Sequence, residues 1–289
     1  MKKKVNLLII GAQKAGTTSL YEYIKQHPDI YFSEIKEIKY FVVDKYYQKG
    51  IEYFHSFFSK YNNEKVIASS YVHMLPSIDA PERVLEYNKN MKFIIMLREP
   101  VSRAYSAYNY AKQNGWENDD ISFIDSLESE SMRKNNNKID LLYFYNGLYS
   151  SHIDNWMSRF SSKQFLLITD TELRNDSKNV LSRITSFLNI QEYNFLTDAT
   201  FNVTSKPRVS LLNRIILTRN DKVRNIIGFF IPSGVKKWVL KYFIPKLLDL
   251  NKSNVKFSKI KADERKIAEE YFKNDLINLK QKYHINFVE

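Results

Sequence analysis

Residues 5–20, VNLLIIGAQKAGTTSL, decide how the rest of the chain is read. Val5 to Ile10 is a short, branched apolar run broken only by Asn6, the pattern of a buried strand. It runs into Gly11, and Gly16 follows after four intervening residues. Thr17, Thr18 and Ser19 come next, and Leu20, Tyr23 and Ile24 recur at helical spacing until His27-Pro28 stops the pattern. A strand, a glycine-bounded loop and a hydroxyl-rich helix start together build an anion cradle. The glycines let the backbone turn tightly and approach a ligand, and the helix offers its free N–H groups and positive dipole end.

The loop is close to a Walker A motif and departs from it at one residue. In that motif a lysine follows the second glycine and reaches the β- and γ-phosphates. Here Thr17 follows Gly16, and the lysine is Lys14, inside the loop. A lysine there serves a phosphate nearer the sugar, or the group being transferred from it. A nucleoside triphosphate is therefore the weaker expectation.

Composition limits the classes. A chain of 289 residues with 44% hydrophobic and 26% charged residues can bury a substantial core. A single α/β domain over 1–289 is the expectation. The net charge of +12 suits an anionic ligand, nucleic acid or an anionic membrane surface without choosing among them. No cysteine is present, which excludes disulfides, thiolate metal sites and cysteine nucleophiles. No histidine–carboxylate cluster suggests a metal. The apolar stretch after MKKK is too short for a signal peptide and lacks a small-residue cleavage site, and no segment is long enough to span a bilayer. A cytoplasmic, bacterial-type protein is expected.

The second informative stretch is KFIIMLREPVSRAYSAYNY, 92–110. Phe93 to Leu97 reads as a strand buried on both faces, delivering Arg98 at its carboxyl end before a helix starts near Pro100. Ligands of open α/β sheets bind at that edge, so Arg98 is expected beside the Gly11 loop. Ser106 lies two turns into the helix, on a face shared with Ser102 and Arg103. Ile30 to Phe32, Lys65 to Ser70 and Gln164 to Thr169 read as further strands, and Pro81 to Tyr87, Leu141 to Phe160, Val180 to Leu188 and Asp263 to Tyr283 as helices. The aromatic-rich sequence up to Phe58 reads as helical, and 118–138 as a surface helix with a loose loop. Strands alternating with helices predict a P-loop-like parallel sheet flanked by helices, with helical additions near the C-terminus. Residues 211–250 mix large apolar residues with lysine and arginine and carry almost no acid.

With the glycine loop and the strand-Arg98-helix unit in place, the chain resembles the sulfotransferases that use 3′-phosphoadenosine 5′-phosphosulfate (PAPS). It is most similar to the branch with heparan sulfate and bacterial carbohydrate sulfotransferases. GAQKAGTTSL at 11–20 resembles the 5′-phosphosulfate loop of that family, LREPVSRAYSAY at 97–108 its 3′-phosphate segment, and KEIKYF at 36–41 its acid-aromatic segment. GLYSSHIDNW at 147–156 and NVTSKPR at 202–208 match weaker patterns.

The resemblance implies a role for each position. Lys14, with the backbone of Ala15, Gly16, Thr17, Thr18 and Ser19, would hold the 5′-phosphosulfate. Arg98 and Ser106 would bind the 3′-phosphate, and Lys206 and Arg208 would cap the cofactor. Tyr149 would either touch the cofactor or pack in the core. Glu37 would take the proton from the acceptor, with His73 the rival base. Lys39 stands where the heparan branch often has histidine, and Ser69-Ser70 lacks its acid-lysine pair, so the acceptor stays open. The implied reaction is in-line sulfuryl transfer to a hydroxyl, or less readily an amine, of a carbohydrate or glycolipid, without a metal. The basic 211–250 stretch would then make peripheral contact with the inner face of a membrane, core packing being the plainer account. The rival functions are a nucleotide-dependent phosphotransferase, which needs an acid at a strand end, and a basic nucleic-acid binder. The first also needs a lysine after Gly16, and neither requirement is evident; the second needs basic and aromatic residues on one face, whereas the aromatics read as mostly buried.

Overall fold

The computed structural model describes residues 4–135, 138–197, 205–209, 212, 213, 216, 217, 239–256 and 259–287. Five parallel strands form its sheet: β1 (Leu7–Gly11), β2 (Ile30–Phe32), β3 (Val66–Ser70), β4 (Lys92–Leu97) and β5 (Phe165–Thr169). Their spatial order is β2-β3-β1-β4-β5. All five residues of β1 are buried, as are the last five of β4, because a central parallel strand is covered on both faces. Their continuous runs of Leu, Ile, Phe and Met match that environment.

The strand order places the switch in chain direction between β1 and β4. After β1 the chain goes to the edge strand β2 and returns to β3 beside β1, then crosses to the other side of β1 to lay down β4 and β5. The connections diverge there and leave a crevice at the carboxyl ends. The register aligns Ile9 with Ile94 and then Gly11 with Ile95, so β1 bulges as it enters the loop.

Two compact units divide the chain. One comprises Met1–Arg103, Phe144–Asn202 and Glu269–Glu289; the other Ala104–Tyr143 and Val203–Ala268. The first holds the whole five-stranded sheet. The second contains an antiparallel ribbon, Ser205–Pro207 against Lys252–Lys256, which sequence reading missed. The stretch 211–250 falls mostly outside the described residues; Ile244–Leu250 is helical.

Three expectations need correction. The helix expected over 141–160 is only Tyr149–Met157, preceded by the short turn Tyr145–Gly147. Gly147 lies against the closing helix, Ala262–Tyr283, where an added Cβ would come within 2.7 Å of Phe272 Cε1. The helix begins where Asp275 on that closing helix accepts the N–H groups of Tyr149 (3.0 Å) and Ser150 (2.9 Å). The stretch 118–138 is not merely surface. Its short helices bury Phe123 and Leu127, and Arg133 makes a buried bidentate pair with Glu117, at 2.6 and 3.2 Å. Tyr143 Oη also donates to that carboxylate at 2.9 Å, so the pair is satisfied. The aromatic stretch up to Phe58 breaks at Gly50 into Asp44–Tyr47 and Ile51–His55 with a final tight turn; Phe54 and Phe58 are buried, and Phe57 packs partly buried against the core.

Candidate active site

The loop after β1 is clasped from both ends. Ala12 N–H donates to the Met96 carbonyl of β4 at 2.7 Å, and Leu75 N–H donates to the Ile10 carbonyl at 2.7 Å. At Gly11 the chain behind the loop comes so close that a Cβ would sit 2.9 Å from Leu75 Cβ and 3.2 Å from the Val72 carbonyl oxygen. Gly16 has φ +87 and forms the N-cap of helix Thr17–Ile24 with no side-chain cap. The first hydrogen bond of that helix runs from Leu20 N–H to Gly16 O at 3.2 Å. Helix geometry therefore turns the N–H groups of the first turn, beginning with Thr17 and Thr18, toward the loop rather than into the helix. Gly16 is exposed, Thr18 and Ser19 are half-buried, and Ala15 and Thr17 are buried.

Two cations meet at this cradle. Lys14 takes a left-handed conformation, φ +66, and Arg98 Nη1 donates to its carbonyl at 3.3 Å. Burial, with the Arg98 guanidinium beside it, pushes the Lys14 ammonium down to about 8. Arg98 Nε also lies 3.7 Å from Asp170 Oδ2, which Arg174 Nη2 approaches to 3.1 Å. Asp170 directly follows β5 and is the strand-end acid that sequence reading did not recognise. Its burial raises its pKa while Arg174 and Arg98 oppose the rise, so its charge is committed to arginines. Among the described residues no cluster of three or more His, Asp or Glu side chains could hold a metal ion.

Tyr149 is fully enclosed, and its hydroxyl donates to the Arg98 carbonyl at 3.0 Å. It supports the backbone from which Arg98 projects. Glu99, unremarked in the sequence, accepts the N–H groups of Val101 and Ser102, both at 2.8 Å, and so caps helix Pro100–Gln113 itself. Arg103 is wholly buried and shares no accessible face with Ser102 and Ser106, which are half-buried.

The acid-aromatic segment reaches the same edge. Glu37 adopts φ +65, and its Oε2 accepts the Val72 N–H at 3.0 Å, one residue before His73. His73 itself is 4% exposed, its ring 5.6 Å from that of Tyr71, whereas Glu37 is half-buried. Lys36 Nζ donates to Thr18 Oγ1 at 2.8 Å, tying the segment to the first helix. The exposed Lys39 holds its ammonium 6.0 Å from the Tyr71 ring centre. The first unit thus brings together Lys14, the loop through Ser19, Arg98, Tyr149 and, through Lys36, the segment bearing Glu37. Ser106, Lys206 and Arg208 belong to the second unit. There Lys206 lies in the ribbon, and the exposed Arg208 donates its N–H to the Asn251 carbonyl at 2.6 Å.

The donor chemistry fits a phosphorylated or sulfated anion. Adjacent cations, one of them partly discharged by burial, gain most from negative charge brought between them. The hydroxyls of Ser69 and Ser70, buried at the carboxyl end of β3, have no hydrogen-bond partner, so that edge retains unused polar groups.

Residues 4–261 match the sequence model of the sulfotransferase domain. The mouse bifunctional heparan sulfate N-deacetylase/N-sulfotransferase 4 is 30% identical over 214 residues, 68% of this chain and 23% of that protein. Human heparan sulfate glucosamine 3-O-sulfotransferase 3B1 is 26% identical over 200 residues, 69% of this chain and 49% of that one. The chain thus matches about a quarter to a half of the length of these relatives. In fold it is similar to a sulfotransferase from Alicyclobacillus acidocaldarius, with TM-score 0.70, 21% identity, and 99% and 98% of the two chains covered. A mouse sulfotransferase complexed with PAP is alike at TM-score 0.50 and 17% identity, over 98% of this chain and 86% of that one.

Proposed function

The chain belongs to the sulfotransferase family, and on that premise we propose that it moves a sulfuryl group from PAPS to a hydroxyl, or less readily an amine, of a carbohydrate or glycolipid. The observation carrying this reading is the pairing of Lys14 and Arg98 across the glycine loop, Arg98 Nη1 bonded to the Lys14 carbonyl at 3.3 Å. Two phosphate groups, one on each side of an adenosine, are the anion such a pair can divide. Lys14 and the first-turn N–H groups face the 5′-phosphate, and Arg98, whose planar fork suits a bidentate phosphate contact, takes the 3′-phosphate. PAPS, when bound, supplies an activated sulfuryl group on a phosphate leaving group.

The chain's own residues have positioning and charge-stabilising work to do. Lys14, protonated once an anion is present, stabilises the charge developing on the phosphate oxygen. Glu37, oriented by the Val72 N–H, accepts the proton of the attacking hydroxyl. Glu37 is preferred to His73 as base because its carboxylate is half-buried and the imidazole is almost enclosed. Incubation with sulfur-labelled PAPS and desulfated, N-acetylated or N-unsubstituted glycans tests the reading. Label should pass to glycan with wild-type protein and fall by about 10²–10⁴-fold in Glu37→Gln, with binding of the bisphosphate product retained. Unchanged transfer in Glu37→Gln would assign the base to His73, and no transfer to any glycan would refute the acceptor class.

Cytoplasmic placement and peripheral membrane contact through 211–250 belong to the same proposal. The support is a basic segment ending in exposed Tyr242, Phe243 and Leu250, which suits an acceptor carried on lipid. Co-sedimentation with anionic liposomes is expected, and background binding would refute it.

A further inference from the structure

Lys36 precedes the proposed base, and its ammonium reaches the anion loop. Nζ lies 5.2 Å from the Tyr21 ring centre and donates to Thr18 Oγ1 at 2.8 Å. Thr18 is the second residue of the helix that Gly16 caps, so the ammonium stands at the positive end of a helix dipole. A cation there is unfavourable until an anion joins it. Burial lowers the pKa of Lys36, Glu37 and Glu22 raise it, and Lys25 opposes them, so the charge is held in a desolvated place.

The placement is also directional. Lys14 and Arg98 hold one side of the loop and are bonded to each other. Lys36 comes from the segment of Glu37, the acceptor side. In a transfer between a phosphate oxygen and an acceptor oxygen, the moving group lies between those two sides.

We propose that Lys36 is a second lysine of the donor site that contacts the oxygens of the sulfuryl group, so that the protein prefers PAPS to its desulfated product. This rests on the sulfotransferase reading and adds a specificity determinant to it. Thr18 belongs to the first turn that faces the 5′-phosphate in this reading, so loss of Lys36 is felt more strongly by the donor than by the product that shares that phosphate.

Calorimetric titration with PAPS and, separately, the bisphosphate PAP, without acceptor, tests the assignment on wild type, Lys36→Gln and Lys36→Arg. Wild type should bind PAPS about tenfold or more tightly than PAP, the size expected of one charge-assisted contact. Lys36→Gln should weaken PAPS by about tenfold more than it weakens PAP and so lose the preference; Lys36→Arg should recover part of it. A melting temperature shared by all three proteins separates this result from a folding defect. Equal weakening of both ligands in Lys36→Gln would mark the residue as structural, and a preference that survives would remove it from the site; either overturns the proposal. Wild type that binds PAP with no preference for PAPS sinks the proposal alone, whereas wild type that binds neither sinks the sulfotransferase reading with it.

Discussion

Lys14 shows how a single residue can report on ligand charge. Its pKa in the folded chain is about 8 against 10.5 for a free lysine. The sign follows from which state holds more protons. Between about pH 8 and 10.5 the unfolded chain binds the extra proton, so this lysine makes the fold more stable as pH rises through that window. Below it, the folded chain carries a desolvated ammonium next to Arg98 at a cost. A bound anion favours the charged form, so binding of PAP near pH 8 should draw in about half a proton. Titrations in buffers of different ionisation enthalpy should show this uptake at pH 8 and its absence at pH 6.5. Buffer-independent heats at pH 8 would contradict the placement of the anion at Lys14. The sequence placed Lys14 in the loop and Arg98 at the same sheet edge; the bond from the Arg98 guanidinium to the Lys14 carbonyl, 84 residues apart, is what the structure adds.

At the scale of elements, the strand-loop-helix unit depends on its two glycines for different reasons, and the difference can be measured. Gly11 is excluded from bearing a side chain by space, with Leu75 Cβ 2.9 Å from an added Cβ. Gly16 has room, the nearest atom being Met96 Cε at 3.7 Å, but its φ of +87 penalises residues with a Cβ. Gly11→Ala should lower stability by about 1–3 kcal/mol through overpacking. Gly16→Ala should lower it by about 1–2 kcal/mol through backbone strain, and Gly16→Asn by less, because Asn tolerates that region. Denaturant midpoints that rank Gly16→Asn with Gly16→Ala would show the strain account to be wrong. The helix Tyr149–Met157 depends in turn on Asp275, whose Oδ1 also accepts the Ser150 hydroxyl at 2.6 Å. Asp275→Ala leaves buried N–H groups unpaired and should cost about 1–3 kcal/mol. Since Tyr149 holds the Arg98 carbonyl, PAP affinity should weaken in the same variant; full affinity despite lost stability would show that Arg98 is positioned without it.

Over the whole molecule, what the sequence made legible was local or forced by burial. The apolar runs of β1 and β4 could only be central strands, and their carboxyl ends had to deliver Gly11 and Arg98 to one edge. Contacts between distant segments were not legible. Lys36 carried no role of its own in the reading of KEIKYF, because its contact with Thr18 spans 18 residues. Asp170 went unrecognised because Arg98 reaches it from a distant segment, although its other partner, Arg174, is only four residues on. The short helix at Tyr149 could not be foreseen because Asp275, 126 residues away, sets its start. The ribbon Ser205–Pro207 with Lys252–Lys256 pairs polar segments with no alternation to betray it. The central claim, that a glycine loop with Lys14 and Arg98 holds an adenosine bisphosphate, is tested most directly by calorimetric titration of wild type and Arg98→Ala with PAP and with ATP. The account predicts tight PAP binding, weak ATP binding and a loss of about tenfold to a hundredfold in PAP affinity on removing the guanidinium. ATP bound as tightly as PAP, or PAP affinity unmoved in Arg98→Ala, would contradict it.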